Sequence, residues 1–169
     1  MAEYSFTPLF ALIPAGFADG SGSDKVLREL FSLDRSYTVM SKPIPQYEAT
    51  LLYSWEREPD SAISPSSAIE PLIFKQLNDL AAIREHNKLI MDFDILHKKT
   101  TLLLAEGDRL LTANCYHTVD LATAIYYMLE ILHKSQINPQ QTTLYFGGKT
   151  DRDQLNRLAS YVKDVRMRM

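Results

Sequence analysis

The chain changes the period of its hydrophobic pattern near residue 88. From Leu89 to Leu96 the apolar and polar positions alternate, which predicts a strand with one strongly apolar face. Tight turns are expected at residues 97–99 and 106–108, with strands over Thr100–Ala105 and Arg109–Tyr116 beside them. The second half of the chain is therefore predicted to begin with a three-stranded antiparallel meander.

Helical spacing follows the meander. Thr118 is predicted to cap a long helix, and Thr150 with Asp153 is predicted to form the capping box of a later helix over residues 151–162. Strands are expected at Thr142–Phe146 and Val165–Met169. The order from residue 88 onward is β-β-β-α-β-α-β, and because helical crossovers give parallel neighbours, it predicts a mixed five-stranded α/β sheet flanked by helices. This is the lobe architecture of the actin-like and ribonuclease-H-like folds.

The first 70 residues predict a smaller set of elements. Strands are expected at Leu9–Ile13, at Tyr37–Met40 (ended by Pro43) and at Thr50–Trp55, with a helix capped by Ser23 whose apolar face holds Val26, Leu27, Leu30 and Phe31. Residues 57–67 form a turn-rich linker, and Pro71 is expected to begin the next helix. The predicted organisation is a reduced first lobe over residues 1–66 and a second lobe over residues 67–169.

Composition excludes several classes of protein. The 169 residues are 46% apolar and 23% charged with a net charge of -3, which is too apolar and too balanced for a disordered chain. No apolar run is long enough for a membrane span, and one cysteine excludes an internal disulfide framework. Residues 1–15 have an early acidic residue and no basic region, so we expect no cleaved signal peptide and a cytoplasmic location.

The only basic region is the last stretch of the chain. Its cations are Lys149, Arg152, Arg157, Lys163, Arg166 and Arg168. Three aspartates interleave with them and only Tyr161 could stack on a base, so we expect a solvated helix face and no nucleic-acid partner.

Four short features stand out within residues 100–148: Asn114, Tyr126-Tyr127, Asn138-Pro139 and Leu144-Tyr145-Phe146-Gly147. In these features the segment resembles an uncharacterised family of Bacteroidetes proteins with an actin-like ATPase fold. Weaker similarity covers Phe6–Phe17 and Ser66–Leu72. The resemblance implies the fold and no reaction, since the role of that family is not established.

The chain departs from that family before residue 70. Relatives of this kind carry an additional N-terminal hairpin region before the segment that resembles Phe6–Phe17, and almost nothing precedes it here. The first lobe is therefore interpreted as reduced, or the chain as a fragment. Without those hairpins an apolar sheet edge with unpaired backbone groups would be left open, so we expect a protein partner or a homodimer through the first-lobe sheet edge.

An actin-like ATPase needs hairpin amides that grip the phosphates, an acidic residue near the metal and a glycine pair beside the adenosine. Gly147-Gly148 lies between a strand and a helix, where a glycine pair would let adenosine approach the backbone, and Asp92 could contact the ligand. A tight turn that needs positive φ values explains two such glycines equally simply, and it is the commoner case. The prediction is therefore that the protein has no cofactor, and ATP with magnesium is the alternative.

The hairpin over residues 92–101 occupies the position of a phosphate loop. It has no glycine, and Ile95, Leu96 and His97 leave little room for amides to converge on a phosphate. We therefore expect no ATP hydrolysis and assign no catalytic residue.

The acidic residues, the histidines and the cysteine give little support for a metal-dependent nuclease or a zinc site. Asp92 and Asp94 could hold a metal only with further carboxylates, of which Asp120 and Glu130 are the nearby candidates, whereas strand alternation already explains both aspartates as a polar face. The four histidines lack metal-ligand spacing and Cys115 stands alone, so no metal site is assigned. The sequence favours a non-catalytic scaffold or partner-binding module, with nucleotide binding as the alternative.

Overall fold

The computed structural model of the protein describes residues 3–5, 7, 9–17, 22–56 and 69–168. The strands in this part of the chain are β1 (Glu3–Ser5), β2 (Phe10–Pro14), β3 (Tyr37–Ile44), β4 (Ala49–Glu56), β5 (Ile69–Pro71), β6 (Asn87–Asp94), β7 (Lys99–Glu106), β8 (Arg109–His117), β9 (Thr142–Gly147) and β10 (Asp164–Met167). The α-helices are α1 (Ser23–Phe31), α2 (Leu72–Ala82), α3 (Leu121–Lys134) and α4 (Arg152–Ala159). None of the helices in the described ranges has the length and apolar character needed to cross a bilayer.

The chain divides into two compact units, residues 1–78 and residues 79–169. The division falls within α2. The lobe boundary predicted between residues 66 and 67, and the linker predicted over residues 57–67, lie outside the described residues.

The first unit contains a three-stranded antiparallel sheet in the order β2-β4-β3, with α1 packed against β3 and β4. The three predicted strands of this sheet are confirmed. Aliphatic and aromatic residues of the central strand, β4, are buried, as expected from their strand propensity. A short parallel pair, β1 with β5, was not predicted. Its strands have three residues each, too few for a periodic pattern to be recognised.

Two details of the first unit differ from the predictions. Strand β3 continues through Pro43 to Ile44, because β3 is an edge strand and proline can be accommodated where no inner ladder bond is required. The N-cap of α1 is Gly22, and Ser23 is already helical. On the predicted apolar face of α1 only Leu27 is buried, while Val26 and Leu30 are exposed.

The second unit contains the predicted mixed five-stranded sheet, in the order β10-β9-β6-β7-β8. Strands β6, β7 and β8 form the antiparallel meander, whereas β6, β9 and β10 are parallel neighbours reached through α3 and α4. One face of this sheet packs on α3 and α4 through a single apolar core. That core includes Leu89, Met91, Leu102, Leu104, Ile125, Met128, Leu132, Leu144, Phe146 and Leu158.

Asp120 caps α3, and the prediction of Thr118 as the cap is wrong. The Asp120 carboxylate accepts hydrogen bonds from the amide and the hydroxyl of Thr123, each at 2.7 Å. Thr118 is fully buried instead, and its hydroxyl pairs with the hydroxyl of Thr100 at 2.7 Å. The burial of Thr118 leaves Asp120 as the residue free to cap the helix.

The capping box of α4 is also displaced by one residue from the prediction. Asp151 accepts a hydrogen bond from the Gln154 amide at 2.8 Å, and the Gln154 side chain accepts one from the Asp151 amide at 3.3 Å. Thr150 lies before the helix and donates to the Gln154 side chain at 2.9 Å. The box still follows the sequence rule for helix starts, with Asp and Gln in the two positions.

Candidate functional site

The three residues predicted to contact a nucleotide lie together at one end of the second-unit sheet. Asp92 is two residues from the end of β6, and its register partner on the parallel strand β9 is Gly147. Gly148 follows directly. The carboxyl ends of two parallel neighbours therefore meet at this point, which is where α/β sheets commonly place ligands.

Close packing accounts for both glycines. A Cβ atom on Gly147 would lie 1.9 Å from Oδ1 of Asp92. Gly148 has a φ of +129°, and a Cβ there would lie 2.4 Å from the carbonyl oxygen of Phe93. A residue with a side chain at position 148 would collide with the main chain of β6, so glycine is required there with or without a ligand. At position 147 the added atom would meet the Asp92 side chain, which would have to move.

Asp92 is bound by Arg168, which the sequence pattern predicts only to be one of the cations of the basic last stretch. Nη1 of Arg168 donates to Oδ2 of Asp92, while Nη2 donates to Oδ2 of Asp79 at 2.6 Å. The Arg168 side chain is 15% exposed. The Arg168 amide donates to the carbonyl oxygen of Phe146 at 2.7 Å, which fixes the end of the chain beside β9. A cation of the protein itself therefore neutralises the carboxylate proposed to face a ligand.

Arg168 was missed because its partners are 76 and 89 residues away in the sequence. No short-range pattern signals such a contact. The only available signal was its position near the end of the predicted last strand, which places it next to the carboxyl end of a parallel neighbour.

The amino end of α4 is occupied by the Asp151–Gln154 capping box described above. A helix amino end attracts anions through its unpaired amides. Here the Asp151 carboxylate already accepts from one of those amides and adds negative charge. A phosphate at this position would have to displace that carboxylate.

In the hairpin between β6 and β7, amides that could bind an anion likewise donate to a side chain of the hairpin itself. Oδ1 of Asp94 accepts hydrogen bonds from the amides of Leu96 at 3.0 Å and His97 at 3.1 Å. Oδ2 lies 2.5 Å from Nδ1 of His97. Burial opposes ionisation of this carboxyl, but the hydrogen bonds from the His97 ring, the His97 amide and the Leu96 amide outweigh it and lower the pKa of Asp94.

The tip of this hairpin presents apolar side chains to solvent. The predicted strand ends at Asp94, so Ile95 and Leu96 belong to the turn and are 53% and 83% exposed. The carbonyl oxygen of Lys98 accepts from the Thr118 amide at 2.8 Å, which ties the tip to the end of β8. The tip is thus fixed by hydrogen bonds on both sides.

The carboxylates considered for a nuclease site are engaged separately. Asp94 binds its own hairpin, Asp120 caps α3, and Glu130 pairs with Lys134 at 2.8 Å. Within the described ranges, no group of three or more His, Cys, Asp or Glu side chains is arranged to hold a metal ion.

Two of the basic side chains near the end of the chain, Arg166 and Arg168, are paired with acidic groups. Besides Arg168, Arg166 donates to Glu85, to the Tyr145 hydroxyl at 2.9 Å and to Asp164 at 2.9 Å. Burial and the hydrogen bond to Glu85 raise the pKa of Tyr145. This network lies across β9 and β10 and stabilises that edge of the sheet.

Comparisons with known proteins give a family and a fold. The sequence profile of a family described as "Protein of unknown function (DUF3822)" matches residues 6–165. No protein with a curated description matches the chain. A crystal structure from Bacteroides thetaiotaomicron VPI-5482, described as a protein with an actin-like ATPase fold and unknown function, superposes with a TM-score of 0.80 at 13% identity. That match covers 98% of this chain and 66% of the other, so the present chain spans slightly less than two thirds of its length.

A type IV pilus biogenesis complex, PilM-PilN, matches more weakly. Its TM-score is 0.47 at 12% identity, and the match covers 96% of this chain and 68% of the other. The Bacteroides structure carries the fold assignment by itself, and it confirms the predicted actin-like architecture.

Proposed function

This chain belongs to the family described as a protein of unknown function (DUF3822), and we propose that it uses its actin-like ATPase fold as a non-catalytic scaffold or partner-binding module. The observation that carries the proposal is the position of Asp94. Its carboxylate accepts from the amides of Leu96 and His97 in the hairpin where an actin-like enzyme would hold phosphate. A phosphate would have to replace a bound carboxylate and lie beside a negative charge.

The arrangement at the other end of the proposed nucleotide site supports the same function. Asp92 is paired with Arg168, and the amino end of α4 is occupied by Asp151. The groups that could receive a metal or an anion are thus bound to groups of the same chain. Each of these contacts would have to break before a nucleotide could bind.

The proposed partner surface is the edge of the first-unit sheet at β2. Strand β2 lies at one edge of its sheet, contains no charged residue, and leaves Ala11, Leu12 and Ile13 half-buried. The other edge, β3, carries Lys42 and has Pro43 inside the strand, and both discourage pairing with a further strand. The proline of β2, Pro14, is the last residue of that strand. Phe17, just after β2, is 79% exposed. The proposed occupant of the β2 edge is a strand of a protein partner or of a second copy.

Calorimetric titration with ATP and magnesium tests the non-catalytic assignment. We expect no binding tighter than about 100 μM, which corresponds to about 5.5 kcal/mol. The matched variant is Asp94→Ala, which frees the Leu96 and His97 amides without changing Asp92. Binding by the wild-type protein would contradict the proposal. Binding by the variant alone would support it, because it would identify the Asp94 carboxylate as the group that excludes phosphate.

The second candidate function is nucleotide binding at Gly147, Gly148 and Asp92. The observation in its favour is that β6 and β9 bring these three residues to one sheet end. Binding that is tighter than about 100 μM and is lost in Asp92→Ala would establish it.

Light scattering over micromolar concentrations tests a homodimer through β2. The diagnostic variant is Leu12→Lys, and the control is Leu30→Lys, which adds the same charge to an exposed position of α1 in the same unit. A dimer that dissociates only in Leu12→Lys would support the proposed edge. A wild-type protein that stays monomeric would contradict the homodimer form of the proposal.

A further inference from the structure

The outer side of β8 is an unpartnered sheet edge. Strand β8 is the last strand of the five-stranded sheet, and it is nine residues long. Among the described residues, no strand pairs with the side of β8 that faces away from β7. This edge lies in the second unit, so it is separate from the β2 edge discussed above.

The backbone groups that point outward can be assigned from one hydrogen bond. The Thr118 amide donates to the carbonyl oxygen of Lys98 at 2.8 Å, immediately beyond the register pair Lys99–His117. In an antiparallel ladder, hydrogen-bonded pairs alternate with pairs that make no such bonds. Residues 112, 114 and 116 therefore bond to β7, whereas the amides and carbonyls of Ala113, Cys115 and His117 point outward.

Between Arg109 and His117 this edge lacks two of the usual features that block strand pairing, charged residues and proline. By contrast, β10 at the opposite edge has four residues, including Asp164 and Arg166. The register of β7 and β8 skips Leu111, which marks a bulge. The regular part of the edge is therefore residues 112–117.

We propose that β8 pairs antiparallel with β8 of a second copy of this chain, about a two-fold axis at Cys115. In this register Cys115 lies opposite Cys115 of the second copy, and Ala113 lies opposite His117. The outward groups of these residues form about six interchain hydrogen bonds. The regular part of the edge is used completely.

In this register the side chains of the two copies are complementary across the two-fold axis. Tyr116 stacks on Tyr127 of α3 with ring centroids 4.4 Å apart, which identifies the face of β8 that points toward α3. On that face Asn114 lies opposite Tyr116 of the second copy. The Asn114 amide already donates to the Tyr116 hydroxyl within one chain at 3.3 Å, so the two groups are chemically complementary across the axis as well.

Other symmetric registers use the edge less well. An axis at Ala113 would place Cys115 opposite Leu111, the bulged residue, where the ladder is irregular. An axis at Asn114 would leave His117 opposite the same residue. Self-complementarity about Cys115 is the reason that a second copy is the occupant assigned to this edge.

The position of Cys115 provides a direct test. It is the only cysteine of the chain, and residues in a hydrogen-bonded antiparallel pair have Cα atoms about 5.5 Å apart. Dibromobimane, which joins two nearby thiols, should therefore give a covalent dimer. Burial raises the pKa of the Cys115 thiol, so the reaction needs alkaline buffer, and monobromobimane verifies that the thiol reacts.

Two proline variants test the backbone pairing. Ala113→Pro and His117→Pro each remove an outward amide and leave the bonds to β7 intact, and each should weaken the dimer Kd about tenfold because two interchain hydrogen bonds are lost. His117→Pro is at the strand end and guards against a folding defect in Ala113→Pro. Leu12→Lys should leave this dimer unchanged.

The outcomes separate this proposal from the β2 proposal. A dimer that is weakened by the proline variants and cross-linked through Cys115 supports the β8 edge. A wild-type mass that stays monomeric up to about 1 mM overturns it. A dimer that dissociates in Leu12→Lys but not in His117→Pro, and that gives no cross-link, also overturns it and assigns the contact to β2.

Discussion

Nη1 of Arg168 donates a hydrogen bond to Oδ2 of Asp92, across 76 residues of sequence. The same guanidinium binds Asp79, so the last residues of the described chain are joined to β6 and to α2 by one side chain. Arginine suits this position because its planar group can donate to two carboxylates at once.

Arg168→Ala is expected to lower the free energy of unfolding by about 1–3 kcal/mol. The variant removes the cation that bridges these two carboxylates, and the partial exposure of Asp79 reduces the cost. Urea denaturation measures it. Arg152→Ala, at an exposed position of α4, should change the free energy by less than about 0.5 kcal/mol, and equal effects of the two variants would contradict the assigned role.

Alanine substitutions at Gly147 and Gly148 should destabilise the protein to different degrees, according to which atoms the new Cβ contacts. Gly148→Ala should cost about 2–4 kcal/mol, since the φ is positive and the Phe93 carbonyl is backbone that moves little. Gly147→Ala meets the Asp92 side chain, which can rotate at the expense of its bond to Arg168, so about 1–2 kcal/mol is expected.

Gly16→Ala is the matched control for this pair. Nothing lies within 4 Å of the Cβ it would add, and its effect should be near zero or slightly stabilising. Thermal or urea unfolding of the three variants gives the order. A cost for Gly16→Ala as large as that for Gly148→Ala would show that crowding is not the cause.

Acid should loosen the β6–β7 hairpin before it unfolds the sheet. The folded-state pKa of Asp94 is lowered, so its stabilisation is complete above the ordinary carboxyl value of about 4 and is lost as the pH falls through the lowered value. The protection of the Leu96 and His97 amides, measured by NMR as their exchange rate relative to that of an unstructured chain at the same pH, should fall on acidification. In Asp94→Ala both amides should be weakly protected at all pH values, and strong protection in that variant would contradict the assignment.

The buried hydroxyl pair of Thr100 and Thr118 should behave non-additively. Replacing either residue with valine leaves one hydroxyl without its partner and should cost about 1–3 kcal/mol. The double variant should be less costly than the sum of the two, because no orphaned hydroxyl remains. Denaturation of the four proteins completes the cycle, and strict additivity would exclude a direct interaction.

Local periodicity was sufficient to predict the order of elements in the second unit. Alternation over β6 and 3.6-residue spacing over α3 arise from burial against one core, so both are visible in the sequence. The helix caps were less predictable, since Thr118 and Asp120 are both good caps. The choice depends on Thr100, which is 18 residues away and buries the Thr118 hydroxyl.

The candidate site was only partly predictable for the same reason. The positions of Asp92, Gly147 and Gly148 follow from parallel pairing of β6 with β9. The pairing of Arg168 with Asp92 and Asp79 is a long-range contact that no spacing rule encodes. The Asp94 acceptor, by contrast, binds amides only two and three residues away, and it was missed because residues 95 and 96 were assigned to a strand and not to a turn. The sequence therefore predicted that the three candidate residues lie together, but not that side chains of the chain itself bind there.

The contact between Gly148 and the Phe93 carbonyl also bears on how distant relatives should be read. Because the main chains of β6 and the β9–α4 turn touch at that point, a residue without a side chain is a condition of folding there. A glycine aligned with Gly148 in another sequence is accordingly a marker of shared architecture, and it carries no information about nucleotides.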